Sequence, residues 1–150
     1  MRKIFSLLLV FLLAFPMTAC GQNRVEKETA GKAEFDFERK IVMLNSGYEM
    51  PINGLGTYSL HGDECIDSVK SALSNGVHLI DTASVYGNEE EVGQAIREAI
   101  SQGIIQREDV FVTTKIYPGS EMKNPVQSIQ ACIDRLDIGY VDARVIIGTS

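Results

Sequence analysis

Three residues in this chain have the types and spacing to make a proton donor. Asp81 and Tyr86 lie in DTASVYGNEEEVG, and Lys115 closes the apolar run VFVTTK. Each falls at or just beyond the C-terminal end of a predicted strand. A phenol ordinarily titrates near ~10, and a neighbouring ammonium lowers that value by favouring phenolate. A carboxylate can hold the ammonium in place. Together they form a general-acid site suited to hydride addition at a carbonyl, which is oxidoreductase chemistry.

The elements that must position this trio alternate along the chain. Residues 41–44, the turn Asn45-Ser46-Gly47 and residues 48–52 predict a hairpin. Pro51 places its second arm at an edge. The stretch INGLGT, residues 52–57, predicts a short strand, and Gly56 near its end leaves room for a ligand to approach the backbone. Asp63 is expected to cap a helix that runs to Asn75, with Ile66, Val69, Ala72 and Leu73 inward and Gly76 as its stop. Residues 77–80 predict a buried strand ending at Asp81. Asn88 is expected to cap the next helix, with Glu89, Glu90 and Glu91 as its solvated first turn. Val92, Ala95, Ile96, Ala99 and Ile100 form that helix's apolar face, and Gly103 ends it. Residues 110–114 predict a strand and residues 125–136 a helix, with Val126, Ile129, Cys132, Ile133 and Leu136 inward. Residues 141–147 predict a fourth strand.

Strand and helix alternating in this way imply βα units around a parallel sheet, either doubly wound or a TIM barrel. The turn after INGLGT is long and lacks GxGxxG, the fingerprint of the doubly wound dinucleotide fold. Chemistry after several successive strands is the barrel habit. The expectation is therefore α/β: the first three and a half βα units of a (β/α)8 barrel, preceded by a hairpin. A whole barrel has eight units in about 250 residues.

The N-terminus reads differently. Arg2 and Lys3 precede an apolar run, residues 4–15, too short to span a bilayer and suited to a secretory signal. Met17-Thr18-Ala19-Cys20 then resembles a bacterial lipobox, with Met where Leu is commoner; an ordinary secretory signal or an uncleaved anchor are the alternatives. The resemblance implies a signal peptide over 1–19 and a lipidated Cys20, whose acyl chains would anchor the chain at a membrane of the cell envelope. Residues 20–40, polar and charged, predict a flexible tether, and the domain is expected over 41–150. Net charge is −6, and more negative without Arg2 and Lys3. That argues against nucleic acid as a partner. Cys65 and Cys132 are expected as buried small apolar residues. His61 and His78 stand apart without acidic partners at ligand spacing, so no metal is expected. His61 reads as an exposed loop residue.

Several blocks together resemble the aldo-keto reductase family, from about Ile41 to Asp142. MLNSGYEMPINGLGTY is similar to the family's opening, and GVHLIDTASVYGNEEEVG to its first signature. GIIQREDVFVTTK resembles the approach to the catalytic lysine, and SIQACIDRLDIGYVD the helix before the fourth strand. The resemblance implies that Tyr86 protonates the carbonyl oxygen of an aldehyde or ketone as NADPH delivers hydride. Lys115 would lower the phenol's pKa, and Asp81 would pair with Lys115. Gly56, Thr57 and Tyr58 would lie near the nicotinamide and its ribose, with Asp81 close by. Tyr117, just after Lys115, is a candidate for the substrate pocket wall.

The resemblance breaks after Asp142. Ile147 stands where the family carries a histidine, and Arg144 falls in a strand expected to be buried on both faces, where an unpaired charge is costly. The expectation is a truncated product, through a frameshift or early stop, lacking the strands that complete the cofactor site. Its open edges would require a partner chain to complete the barrel or leave it prone to misfolding. The competing expectation is a non-catalytic, membrane-anchored lipoprotein that serves as a binding or assembly partner, favoured by the scarcity of NADPH outside the cytoplasm. An unrelated barrel such as an isomerase would require the Asp-Tyr-Lys spacing to be coincidental.

Overall fold

The structure, a computed structural model, describes residues 33–146. The expected signal peptide, Cys20, most of the expected tether and Ile147 lie outside the described residues.

The described chain opens with a small antiparallel sheet. Strands β1 (Glu34–Asp36), β2 (Ile41–Met43) and β3 (Glu49–Pro51) pair in that order. The hairpin of β2 and β3 is the expected one. Gly47 takes the positive φ of 83° that its turn requires, and Pro51 lies in an edge strand, opposite Ile41. Strand β1 corrects the expected domain start, because it falls inside the segment read as tether. Its signal is a single alternation, Glu-Phe-Asp-Phe, diluted by charged neighbours. The following turn is held by the Arg39 amide donating to Asp36 Oδ1 at 2.9 Å. The Arg39 guanidinium also makes a two-pronged contact with Glu49 of β3 at 2.8 and 2.6 Å.

The second sheet is parallel, in the order β4 (Gly54–Gly56), β5 (Leu79–Asp81), β6 (Phe111–Ile116) and β7 (Ala143–Ile146). Helices α1 (Gly62–Ser74), α2 (Glu89–Ser101) and α3 (Pro125–Leu136) make the crossovers. Strand order follows chain order, as in a barrel wall, and the architecture is the expected partial barrel with its leading hairpin. Register aligns Gly56 with Asp81, Asp81 with Thr113, and Thr113 with Ala143.

Helix boundaries follow their local chemistry. α3 begins where Pro125 supplies a preset φ and Asn124 Oδ1 accepts from the Gln127 amide. α1 begins at Gly62, one residue before the expected Asp63 cap, so Asp63 sits in the first turn. There its charge still favours the helix N-terminus. Val126 was expected inward but is 77% exposed. The buried row of α3 is Cys132 and Leu136, and residues 125–127 at its start are exposed. Arg144 is exposed on β7, an edge of the described sheet, so the cost of burying it is not incurred.

The core lies between the sheet and the helices. Val69, Ile80, Val92, Ala95, Ile96, Ala99, Val112 and Leu136 are fully buried there. α2 and α3 meet backbone to backbone: a Cβ added at Gly93 would lie 1.8 Å from the carbonyl oxygen of Leu136. That contact cannot yield by rotamer change. Gly93→Ala should cost about 3 kcal/mol, the upper end of overpacking penalties, seen as a lowered urea midpoint. An unchanged midpoint would show that the two helices can part freely.

Cys65 and Cys132 are buried and free, as expected. Burial pushes each thiol up to about 11, with Glu91 beside Cys65 and Glu89 beside Cys132 adding to it. The thiolate is the reactive form. Both should therefore resist a disulfide reagent such as DTNB in the folded chain and react after denaturation. Rapid labelling of the native protein at either would contradict the burial.

Candidate active site

The site gathers where β4, β5 and β6 reach their C-terminal ends. β5 delivers Asp81, then Thr82 and Ala83 pass into a 3-10 turn, Ser84–Tyr86, which presents the phenol. Gly87, at φ 67°, reverses the chain into α2. Side chains alternate along a strand, so Thr113 and Lys115 of β6 share the face of Asp81, while Thr114 points the other way.

Asp81 is held at both oxygens. Oδ2 pairs with Lys115 Nζ, and Oδ1 accepts from the Thr113 hydroxyl. Lys115 Nζ also donates to the carbonyl oxygen of Thr82 at 3.0 Å and to Tyr86 Oη at 3.2 Å. An ammonium has three donors, and here they reach a carboxylate, a carbonyl and a phenol. Nζ lies 4.9 Å from the Tyr86 ring centroid, within range of attraction by the ring. The Lys115 side chain is only 16% exposed, so the pair is weakly screened by water. The three residues singled out from sequence are thus brought together as one cluster.

The first strand's residues frame it. The Thr57 amide donates to Asp81 O at 2.9 Å, and its hydroxyl to the same oxygen at 3.2 Å. Tyr58 is 73% exposed and meets Tyr86 edge to face, with centroids 5.1 Å apart. Space beside Gly56 is open: a Cβ added there would meet nothing within 4 Å. Tyr117 is half-exposed just beyond β6, its backbone tied to Glu121. His61 is exposed at the cap position of α1.

Two supporting residues were misjudged from sequence. Asn88 does precede α2, but its side chain makes no cap bond. It is fully buried and ties three segments: Nδ2 donates to Thr57 O at 2.7 Å and Leu60 O at 2.8 Å, and Oδ1 accepts from Thr82 Oγ1 at 2.9 Å. Glu89, expected in a solvated turn, is 2% exposed. It accepts from Thr114 Oγ1 at 2.6 Å and from Arg135 Nε at 2.7 Å. Burial alone would lower the Arg135 pKa, and the Glu89 carboxylate more than offsets it, so the net direction is up. Glu90 and Glu91 fit the solvated expectation better. No local signal could separate Glu89 from them, because its partner lies in α3. Asn88→Ala would strand two carbonyls and a hydroxyl and should cost about 2 kcal/mol, measured by urea melting; near-neutrality would show that water replaces the amide.

An α/β barrel wall with a carboxylate, an ammonium and a phenol at its strand ends is the class defined by these observations. The model of the Aldo/keto reductase family matches residues 53–146. An NADH-dependent D-xylose reductase from Candida parapsilosis is 39% identical over 102 residues, 67% of this chain and 32% of that protein. Human Aldo-keto reductase family 1 member C2 is 38% identical over 115 residues, 74% of this chain and 36% of the relative. A crystal structure of a Bombyx mori aldo-keto reductase in complex with NADP superposes with TM-score 0.65 at 35% identity, covering 71% of this chain and 37% of that one. This chain belongs to the aldo/keto reductase family. It spans about a third of the length of the curated relatives it matches.

Proposed function

We propose that this chain carries the proton-donating half of an NAD(P)H-dependent carbonyl reductase that converts aldehydes or ketones to alcohols. The observation that carries it is the single ammonium shared by Asp81 and Tyr86 Oη. The residues present fit the nicotinamide end of such a cofactor: the open space beside Gly56 adjoins the cluster, and Tyr58 offers an exposed ring. Gly56, Thr57 and Tyr58 would hold that end, with Asp81 beside them. When bound, the reduced cofactor supplies hydride.

The chain's own residues do the rest. Tyr86 Oη gives its proton to the carbonyl oxygen. Lys115 Nζ, already donating to Oη, stabilises the phenolate left behind. Asp81 holds the ammonium in place, and Thr113 keeps Asp81 from turning. The remaining βα units of such a barrel, whichever chain carries them, would complete the cofactor and substrate pockets; Tyr117 would contribute to the pocket rim. The test is carbonyl-dependent loss of NADPH absorbance by the purified protein with a small aromatic aldehyde. Cofactor binding without turnover would instead support a non-catalytic binding role.

We also propose that Cys20 is lipidated after removal of residues 1–19 and holds the protein at a membrane of the bacterial cell envelope. The support is the sequence pattern: a basic start, a short apolar run, and small residues before the cysteine. Labelled palmitate fed to expressing bacteria should enter the protein and be lost in Cys20→Ser. Equal labelling of the variant would refute it.

A further inference from the structure

Lys115 and Tyr86 arrive at their contact on separate loops, and one side chain bridges those loops. Glu121 opens a 3-10 turn, Glu121–Lys123, between β6 and α3. Its Oε2 accepts from the Ser84 hydroxyl at 2.8 Å and from the Tyr117 amide at 2.5 Å. Ser84 begins the turn that ends at Tyr86, and Tyr117 lies two residues beyond Lys115. One carboxylate oxygen therefore spans the segment that presents the phenol and the segment that presents the ammonium. The bridge is itself anchored, since the Ser128 hydroxyl of α3 donates to the backbone oxygen of Glu121 at 2.9 Å.

We propose that Glu121 is a positioning residue that sets the separation of Tyr86 Oη and Lys115 Nζ. The inference rests on Tyr86 being the proton donor. An ionised carboxylate suits this place because it only accepts hydrogen bonds and can take two at one oxygen. Such charge-assisted bonds are stronger than neutral ones. Asp81 and Thr113 fix the ammonium from the floor of the site; Glu121 fixes the phenol's loop from the rim. A displacement of about 1 Å between reacting groups can cost on the order of 100-fold in rate, so a loosened bridge has a measurable consequence.

The test combines NMR and kinetics on the full chain. With tyrosines labelled at ring carbon, the Tyr86 signal is identified by its loss in Tyr86→Phe. Glu121→Ala should shift or broaden that signal. It should also speed hydrogen exchange at the Tyr117 amide by about tenfold or more, while amides in the centre of β6 keep their protection. Where turnover is measured, kcat should fall about 10- to 100-fold with little change in KM for NADPH. Glu121→Gln, which retains an acceptor oxygen, should restore most of each effect. Ser84→Ala removes one arm and should move the Tyr86 signal alone, which keeps the test open if Glu121→Ala does not fold. A merely structural role would lower the melting temperature and leave the Tyr86 signal of the folded protein in place. A folded Glu121→Ala with an unaltered Tyr86 signal and Tyr117 exchange would overturn the proposal. Absence of turnover in the wild-type chain would count against the reductase reading, and the NMR arm would still decide the bridge.

Discussion

On the proposed reductase reading, Tyr86→Phe should reduce carbonyl-dependent NADPH oxidation by about 10²- to 10⁴-fold, the range for loss of a positioned general acid, with little effect on folding. The substitution removes one oxygen whose partner in the structure is Lys115 Nζ. That nitrogen keeps Asp81 and the carbonyl of Thr82. The ring remains and can keep its edge contact with Tyr58. The loss should appear in kcat and kcat/KM together, because the proton is given in the transition state and not on binding. Lys115→Met separates the two halves of the mechanism. It leaves the phenol but removes the charge that stabilises phenolate, and it leaves Asp81 with Thr113 alone. It should therefore lower the rate and also destabilise the fold, since Asp81 becomes a part-buried unpaired carboxylate. Rates measured at saturating NADPH and matched folded fractions distinguish the two. Undiminished turnover in Tyr86→Phe would remove the phenol from the mechanism and leave water or another group as the acid.

How far this was readable from sequence depended on how local each interaction is. Asp81, Tyr86 and Lys115 were legible because each ends a strand or follows one closely, and a parallel sheet puts successive strand ends side by side. The limits of α3 were legible because Asn-Pro at one end is a cap and a preset φ, both local effects. Glu89 was misread because three consecutive glutamates at a helix start look alike. Only the fold distinguishes the one directed at Thr114 and Arg135 from its two neighbours. Asn88 was placed correctly and given the wrong task, since its donors serve carbonyls in the loop after β4 and not the first turn of its own helix. Strand β1 was lost because three residues of alternation in a charged window do not exceed the background. Val126 kept the helical period but not its burial, which depends on what packs against it.

The largest stability effect should come from Glu89→Ala, at about 3–5 kcal/mol, the cost of breaking a buried ion pair from one side. Thr114 Oγ1 would lose its acceptor and Arg135 its counter-charge, and a cavity would open at the start of α2. Arg135 is 38% exposed, so water can recover part of its solvation, which favours the lower end of the range. Glu89→Gln keeps an acceptor for Thr114 and should cost less, about 1–3 kcal/mol. Arg135→Met alone leaves the carboxylate buried at 1% side-chain exposure with Thr114 as its remaining bond, so it should cost at least as much as Glu89→Gln. The pair Glu89→Leu with Arg135→Met replaces both charges by apolar groups of similar size, a change often neutral or stabilising. Urea unfolding of the wild type, Glu89→Leu alone, Arg135→Met alone and the pair then forms a double-substitution cycle. A strong coupling, with the double variant more stable than either single, would mean that the network's worth lies in mutual compensation and that it serves to hold β6 in register behind Lys115. Additive losses would mean that Glu89 and Arg135 each stabilise through separate contacts, and Thr114 would then be the residue through which α2 grips the strand.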